Sequence, residues 1–400
     1  MKTPSKIPFS RGDIISCKER FTQFLPSFMD IALSELKGYD VSDDDMAYYS
    51  HAIQYNLQGT YFRGTNLILT MLYTLINPAL AIFTISTGGK LIRGTLVVST
   101  ARSIMGEGMT DFLWHQALVL GWCLELLQTA FLVADDIMDK SVMRRSNVCW
   151  YMVPTIGVAN AVNDTMFLYT LTHRILSNQI KDSPHLVALQ NLFNQASMVT
   201  ILGQHMDTYD AMDTALLDSA TAATSLYYRI CKNKTSYYTF YLPIKLGMII
   251  CDINQDNINF KKLESITSLL GHLFQAQDDY LDCYGDPSCS GKEGTDIQTR
   301  KCTWLLATAL HICNKDQLQR IKNNIGKDDI VNVTAVKEIY NELKLQNIFK
   351  TYSQDIRIKI QSEIDEIESR GGWYKKHHMH QAELAFILQW SLDTITNRNR

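Results

Sequence analysis

Residues 115–139 read HQALVLGWCLELLQTAFLVADDIMD. From His115 to Met138 the run is apolar almost all round, the pattern of a helix buried on every side. It ends in Asp135-Asp136-Ile137-Met138-Asp139, with carboxylates at i, i+1 and i+4. A second apolar helical pattern, Ile266–Leu281, ends the same way 143 residues later, in Asp278-Asp279-Tyr280-Leu281-Asp282. Residues i and i+4 share one helix face, so each cluster crowds like charges. Beside an apolar helix, unneutralised charge is costly. A cation between the carboxylates removes that cost. Oxygen-only ligands suit a hard cation, and Mg²⁺ completes its shell with substrate phosphate and water. Six carboxylates can hold several Mg²⁺ ions and, through them, a diphosphate. One such cluster reads equally well as an acidic helix end facing water. Two copies, both followed by basic residues, favour the metal reading.

The rest of the chain fits a helical frame. Helical spacing recurs over Phe21–Leu36, Leu186–Leu202, Ser219–Ile230, Thr239–Ile250 and Gln381–Ile395. The 400 residues include only 20 glycines and 8 prolines, too few chain-breakers for a turn-dense β-sandwich. No strand–turn–strand signal and no repeat is evident. The breaks at Gly285-Asp286-Pro287 and Gly371-Gly372 do not divide differently composed halves. The expectation is one all-α domain over residues 1–400, with its site between helices. A net charge of −3 leaves no electrostatic footprint for nucleic acid. Nine scattered cysteines without a C-x-x-C pair fit a reduced, cytoplasmic chain. Lys2, Lys6 and Arg11 precede no apolar stretch, so no secretory signal is read; a mitochondrial leader stays open.

Basic and amide residues gather near the clusters in sequence. Arg144-Arg145 follows the first; Lys292, Asp296 and Lys301 follow the second; Gly88-Gly89-Lys90-Leu91-Ile92-Arg93-Gly94 lies upstream. Arg and Lys bind phosphate oxygens directly. Gln128, two turns before Asp135, and Gln275, three residues before Asp278, are polar in apolar stretches and need buried partners. The His377-His378-Met379-His380 run beside Lys375-Lys376 reads as a solvated basic turn rather than a metal site.

Together with Lys234-Thr235 and Phe274-Gln275, these motifs resemble the trans-isoprenyl diphosphate synthases, most of all the eukaryotic farnesyl diphosphate synthases. The likeness spans nearly the whole chain. It implies a helical bundle of the isoprenoid synthase type with a central cavity, a homodimer, and three Mg²⁺ ions per site, replaceable by Mn²⁺ or Co²⁺. The implied substrates are isopentenyl diphosphate and an allylic diphosphate, dimethylallyl or geranyl; no nucleic-acid partner and no stable membrane span is implied. By the same likeness Asp135, Asp139 and Asp278 ligate Mg²⁺, with Asp136, Asp279 and Asp282 helping directly or through water. Arg144, Lys234 and Lys301 hold the allylic diphosphate, with Lys292 beside them. Lys90, Arg93, Gln128 and Arg145 hold isopentenyl diphosphate. Thr235 Oγ1, the Lys234 carbonyl and the Gln275 amide face the allylic cation.

Three positions depart from the family. Ile92 stands where Asn is usual, and Ser146 where Gly is usual. Both adjoin the implied isopentenyl diphosphate ligands, so a terpene synthase that turns a prenyl diphosphate into a sesquiterpene is the alternative to condensation. The implied charged ligands are all present. Ala130 stands where a second Phe is common, leaving Phe131, one turn below Asp135, as the ring that would floor the tail pocket. Farnesyl and geranylgeranyl diphosphate both remain open as products. A catalytically dead scaffold would carry a broken cluster, and neither cluster is broken.

One segment fits none of this. From Gly64 to Gly89 no residue is charged, and Leu67–Ile85 is long and apolar enough to be a membrane candidate. Asn77-Pro78 at its centre argues against a spanning helix. The family runs Tyr-Asn-x-x-Gly-Gly-Lys-x-x-Arg-Gly without a break. Deleting the 29 residues Thr60–Gly88 joins Tyr55-Asn56-Leu57-Gln58-Gly59 to Gly89-Lys90 and restores that motif. Thr60–Gly88 therefore reads as an in-frame translated intron, with a genuine apolar loop or a membrane-touching hairpin as the alternative.

Overall fold

The computed structural model describes residues 9–58, 90–145, 147–253, 260–286, 294–370 and 381–397. The apolar insertion 60–88, Ser146, Lys292 and the histidine run at 377–380 lie outside the described residues. The chain divides into two compact units, Met1–Asn191 with Pro243–Ile253 and Leu192–Leu242 with Asn254–Arg400.

In chain order the helices are α1 (Arg11–Gln23), α2 (Leu25–Ser34), α3 (Asp43–Gln58), α4 (Ile92–Met105), α5 (Asp111–Met138), α6 (Gly157–Gln179), α7 (Leu186–Thr208) and α8 (Ala220–Ile230). After a π-helix over Cys231–Tyr241 come α9 (Leu242–Ile249), α10 (Phe260–Tyr284), α11 (Trp304–Ile312), α12 (Lys315–Asn324), α13 (Ile330–Glu342), α14 (Leu345–Arg370) and α15 (Gln381–Thr396). The helical reading of the sequence holds, with local differences. The Phe21–Leu36 pattern is two helices, because Pro26 enters the first turn of α2 and the chain restarts there. The Thr239–Ile250 pattern is the end of the π-helix followed by α9. A two-residue hairpin that the sequence did not signal, β1 (Met143–Arg144) and β2 (Asn147–Val148), pairs Met143 with Val148 and Arg144 with Asn147. Strands this short show no period to read.

α5 is the central helix of the first unit. Thr110 caps its start by accepting the Leu113 amide. It is long and apolar enough to cross a bilayer, yet 83% of its most apolar window is buried inside the protein, as expected of a core helix. Trp122 stacks on Phe21 of α1 with ring centroids 4.5 Å apart and donates its Nε1–H to the Phe21 carbonyl at 3.0 Å. A Cβ at Gly94 would lie 2.1 Å from Cζ of Phe21, and one at Gly121 would lie 3.2 Å from Gly94 Cα. Only glycine lets α4 approach α1 and α5 this closely, directly after Arg93. In the second unit, Tyr280 stacks on Phe349 at 4.3 Å, and Trp304 meets the same ring edge-on at 5.3 Å. These contacts fix the end of α10, where the second aspartate cluster sits.

Candidate active site

The first unit carries one charged cluster. Asp135 and Asp139 lie one turn apart at the end of α5, where the Asp139 amide donates to the Asp135 carbonyl at 2.8 Å. The following hairpin swings Arg144 back onto the cluster. Its Nε donates to Asp136 Oδ1 and Oδ2 at 2.7 and 2.8 Å, and its Nη2 to Asp135 Oδ2 at 3.1 Å. Burial works against the guanidinium charge, but Asp136 and Asp135 outweigh it and hold its pKa above the ordinary value. Asp136 is itself buried and engaged by this arginine.

Arg145 occupies the hairpin tip with left-handed backbone, φ 53°. Burial lowers its pKa, with the Glu125 charge opposing. The hairpin is anchored from behind: Trp150 Nε1 and the Tyr48 hydroxyl each donate to buried Asp164 at 2.7 Å, and the Tyr55 hydroxyl donates to the Val148 carbonyl. Arg144 and Arg145 line one cleft with Tyr55, Asn56, Thr129, Val133 and Asp136. That lining leaves out Lys90, Arg93 and Gln128. Lys90 is exposed, and Arg93 is buried at the start of α4. Gln128 is buried, and its Oε1 has no hydrogen-bond partner among the described residues.

Sequence reading overlooked Glu125. This buried carboxylate accepts the Gly94 amide at 2.9 Å, tying α4 to α5 beside Arg93. Its one signal is that an acid interrupts an otherwise apolar helix.

The second unit carries a second charged cluster. Lys234 Nζ and Lys301 Nζ both donate to Asp207 Oδ2, at 2.6 and 2.7 Å. Asp207 is buried, which disfavours its charge, but the two ammonium groups outweigh burial and keep its carboxyl below the ordinary range. Asp207 lies five residues beyond the Leu186–Leu202 pattern, in the part of α7 that runs on to Thr208. Next to Lys234, the Thr235 hydroxyl donates to Gln275 Oε1 at 2.5 Å, and Gln275 Nε2 donates to Asp279 Oδ1 at 2.8 Å. Asp279 Oδ2 accepts the Trp304 amide at 2.8 Å. Burial pushes the Asp279 carboxyl up to about 7. Asp282 accepts the Thr295 and Asp296 amides at 3.3 and 3.1 Å, fixing the segment that leads to Lys301. A Cβ at Gly294 would lie 1.9 Å from the Asp282 carbonyl oxygen, so glycine is required at that crossing.

In both clusters the second aspartate turns into the protein, to Arg144 in one case and to Gln275 and Trp304 in the other. Among the described residues no three His, Cys, Asp or Glu side chains converge as a closed metal cage. A few carboxylates open to solvent fit Mg²⁺, which keeps water and substrate phosphate in its shell, better than a metal needing an all-protein cage.

A family model described as polyprenyl synthetase matches residues 76–343. The farnesyl pyrophosphate synthase of Saccharomyces cerevisiae is 33% identical over 358 residues, covering 88% of this chain and 93% of that protein. The farnesyl pyrophosphate synthase of Rattus norvegicus is 39% identical over 282 residues, covering 70% and 79%. Among solved structures, T. brucei farnesyl diphosphate synthase complexed with risedronate superposes with a TM-score of 0.78 at 29% identity, covering 95% of this chain and 98% of that one.

Proposed function

The chain belongs to the polyprenyl synthetase family, and on that footing we propose that it is a short-chain prenyltransferase that condenses isopentenyl diphosphate with dimethylallyl or geranyl diphosphate to give farnesyl diphosphate. The relatives give the terpene-synthase alternative no support. The observation that carries the proposal is the pair Lys234 and Lys301 sharing Asp207, with the Thr235–Gln275 bond one residue and one turn away from Lys234 and Asp278.

In this reading Asp135, Asp139 and Asp278 hold Mg²⁺, with Asp282 contributing at the second cluster. When bound, the metal neutralises diphosphate and makes it a leaving group. Lys234 and Lys301 add fixed positive charge to the allylic diphosphate, and Arg144 and Lys292 are proposed as further ligands of it. Thr235 Oγ1 and Gln275 present oriented oxygens that stabilise an allylic cation without attacking it. Arg93, Arg145, Lys90 and Gln128 hold the isopentenyl diphosphate, Gln128 donating through its amide NH2. Apolar walls keep water, which would capture the cation, away.

Phe131 is half-buried one turn before Asp135, and Ala130 beside it is only 1% exposed. The space a second ring would take is thus closed at Ala130, which favours a C15 product limited by Phe131. Phe131→Ala is expected to shift product from C15 towards C20, read by chromatography of the dephosphorylated prenols. An unchanged C15 product would remove Phe131 as the floor.

A homodimer fits the same proposal. Val158, Val162 and Met166 form an exposed apolar stripe on α6, and Met198, Ile201 and Leu202 another on α7. The chain is also proposed to work without residues 60–88, the remaining alternative being a loop directed outward.

The test is an elongation assay with labelled isopentenyl diphosphate and geranyl diphosphate, run with and without residues 60–88. Labelled farnesyl diphosphate is the expected product, with the shorter protein at least as active. No elongation by either version, together with a hydrocarbon or alcohol released from farnesyl diphosphate, would overturn the proposal.

A further inference from the structure

The 11-residue π-helix over Cys231–Tyr241 sits between two ordinary helices and carries both Lys234 and Thr235. A π-helix is wider than an α-helix, is rarely longer than one turn, and recurs at functional sites. Something must hold this one open. Two glycines on flanking helices do so from opposite sides. On α7, a Cβ at Gly203 would lie 2.2 Å from the Lys234 nitrogen and 2.6 Å from its Cα. On α10, a Cβ at Gly271 would lie 1.9 Å from Ser236 Oγ and 2.6 Å from its Cα. Both are backbone approaches that no side chain permits.

Ser236 supplies the third restraint. Its buried hydroxyl donates to the Cys231 carbonyl at 2.8 Å, five residues back, with the Ser268 carbonyl of α10 at 3.4 Å. That bond bridges one wide turn of the π-helix and uses the slot that Gly271 leaves. Thr235 stands between the two glycine contacts, and its hydroxyl reaches Gln275 one turn beyond Gly271 on the same helix.

We infer that Gly203, Gly271 and Ser236 are positioning residues: they clamp the widened turn so that the Lys234 carbonyl and Thr235 Oγ1 are held where an allylic cation develops. The inference rests on the prenyltransferase reading above and adds the device that fixes its cation-facing groups. Gly203 governs the Lys234 side of the turn, and Gly271 with Ser236 governs the Thr235 side. The second side therefore affects the chemical step and leaves diphosphate binding alone.

Ser236→Ala and Gly271→Ala test this in the full-length protein. For each, kcat and KM for geranyl diphosphate are measured, and calorimetry gives the affinity for inorganic diphosphate with Mg²⁺. A misplacement of this kind is expected to lower kcat about tenfold in Ser236→Ala and about 100-fold in Gly271→Ala. Diphosphate affinity is expected to stay within about threefold of the unaltered chain, since that binding does not use the Thr235 side. A purely structural role would instead lower the active fraction without separating kcat from binding in the folded protein. If Gly271→Ala fails to fold, Ser236→Ala decides alone. A folded Ser236→Ala protein with kcat within about twofold of the unaltered chain, or one that loses diphosphate binding in parallel, overturns the inference. An unaltered chain that elongates nothing removes the prenyltransferase reading, and the inference falls with it.

Discussion

Asp135→Ala and Asp278→Ala are each expected to cut the elongation rate by at least about 1000-fold, with no recovery at raised Mg²⁺. Diphosphate leaves only when its charge is neutralised, and that stabilisation is lost with the carboxylates that would bring the metal to it. Asp135 shares one Arg144 contact at 3.1 Å, whereas Asp136 takes three contacts of 2.6 to 2.8 Å from the same guanidinium. At the second cluster Asp279 is spent on Gln275 and Trp304. Asp279→Asn keeps an oxygen acceptor in that buried place and is expected to retain activity within about tenfold. Asp136→Asn should act through Arg144, raising KM for the allylic substrate more than it changes the Mg²⁺ requirement. Steady-state rates with labelled isopentenyl diphosphate over a range of Mg²⁺ concentrations separate these outcomes. Equal losses at all four positions would mean that the inward-turned aspartates also serve as metal ligands.

That contrast shows where sequence reading succeeds and where it stops. Both clusters were legible because i and i+4 share a helix face in any sequence, whatever packs around it. The inward turn of Asp136 and Asp279 was not, because the partners Arg144 and Trp304 reach them through a hairpin and a later helix start. The helices announced themselves through apolar period, yet α7 outran its pattern to end beyond Asp207. Asp207 itself could not be found by local spacing: its lysine partners are 27 and 94 residues away. The π-helix was invisible for a related reason. Within Cys231–Tyr241 only the Ser236 hydroxyl, on the Cys231 carbonyl, spans the wider turn, and the close backbone approaches to it are made by glycines on α7 and α10. Composition and period thus carried the fold class, while long-range polar partners set the site.

Asp207→Ala is expected to destabilise the ligand-free protein by about 3–5 kcal/mol, since it removes the buried carboxylate shared by the half-buried Lys234 and the buried Lys301 ammonium groups. Lys301 is 8% exposed and Asp207 likewise 8%, so water cannot replace the lost partner cheaply. The physical consequence is specific. If Lys234 and Lys301 are diphosphate ligands, a bound polyanion restores the counter-charge that the substitution removed. Thermal melts with inorganic diphosphate and Mg²⁺ should therefore raise the midpoint of Asp207→Ala more than that of the unaltered chain, because a ligand stabilises in proportion to its affinity for the folded state. Asp207→Asn should fall between the two, keeping the acceptor and losing the charge. Catalysis should not recover with stability. With Asp207 gone, the two ammonium groups lose the carboxylate that sets their position, and turnover is expected to fall about 100-fold even at saturating diphosphate substrate. Equal midpoint increments in the variant and the unaltered chain would show that the lysines serve only Asp207, and would move the diphosphate site away from them.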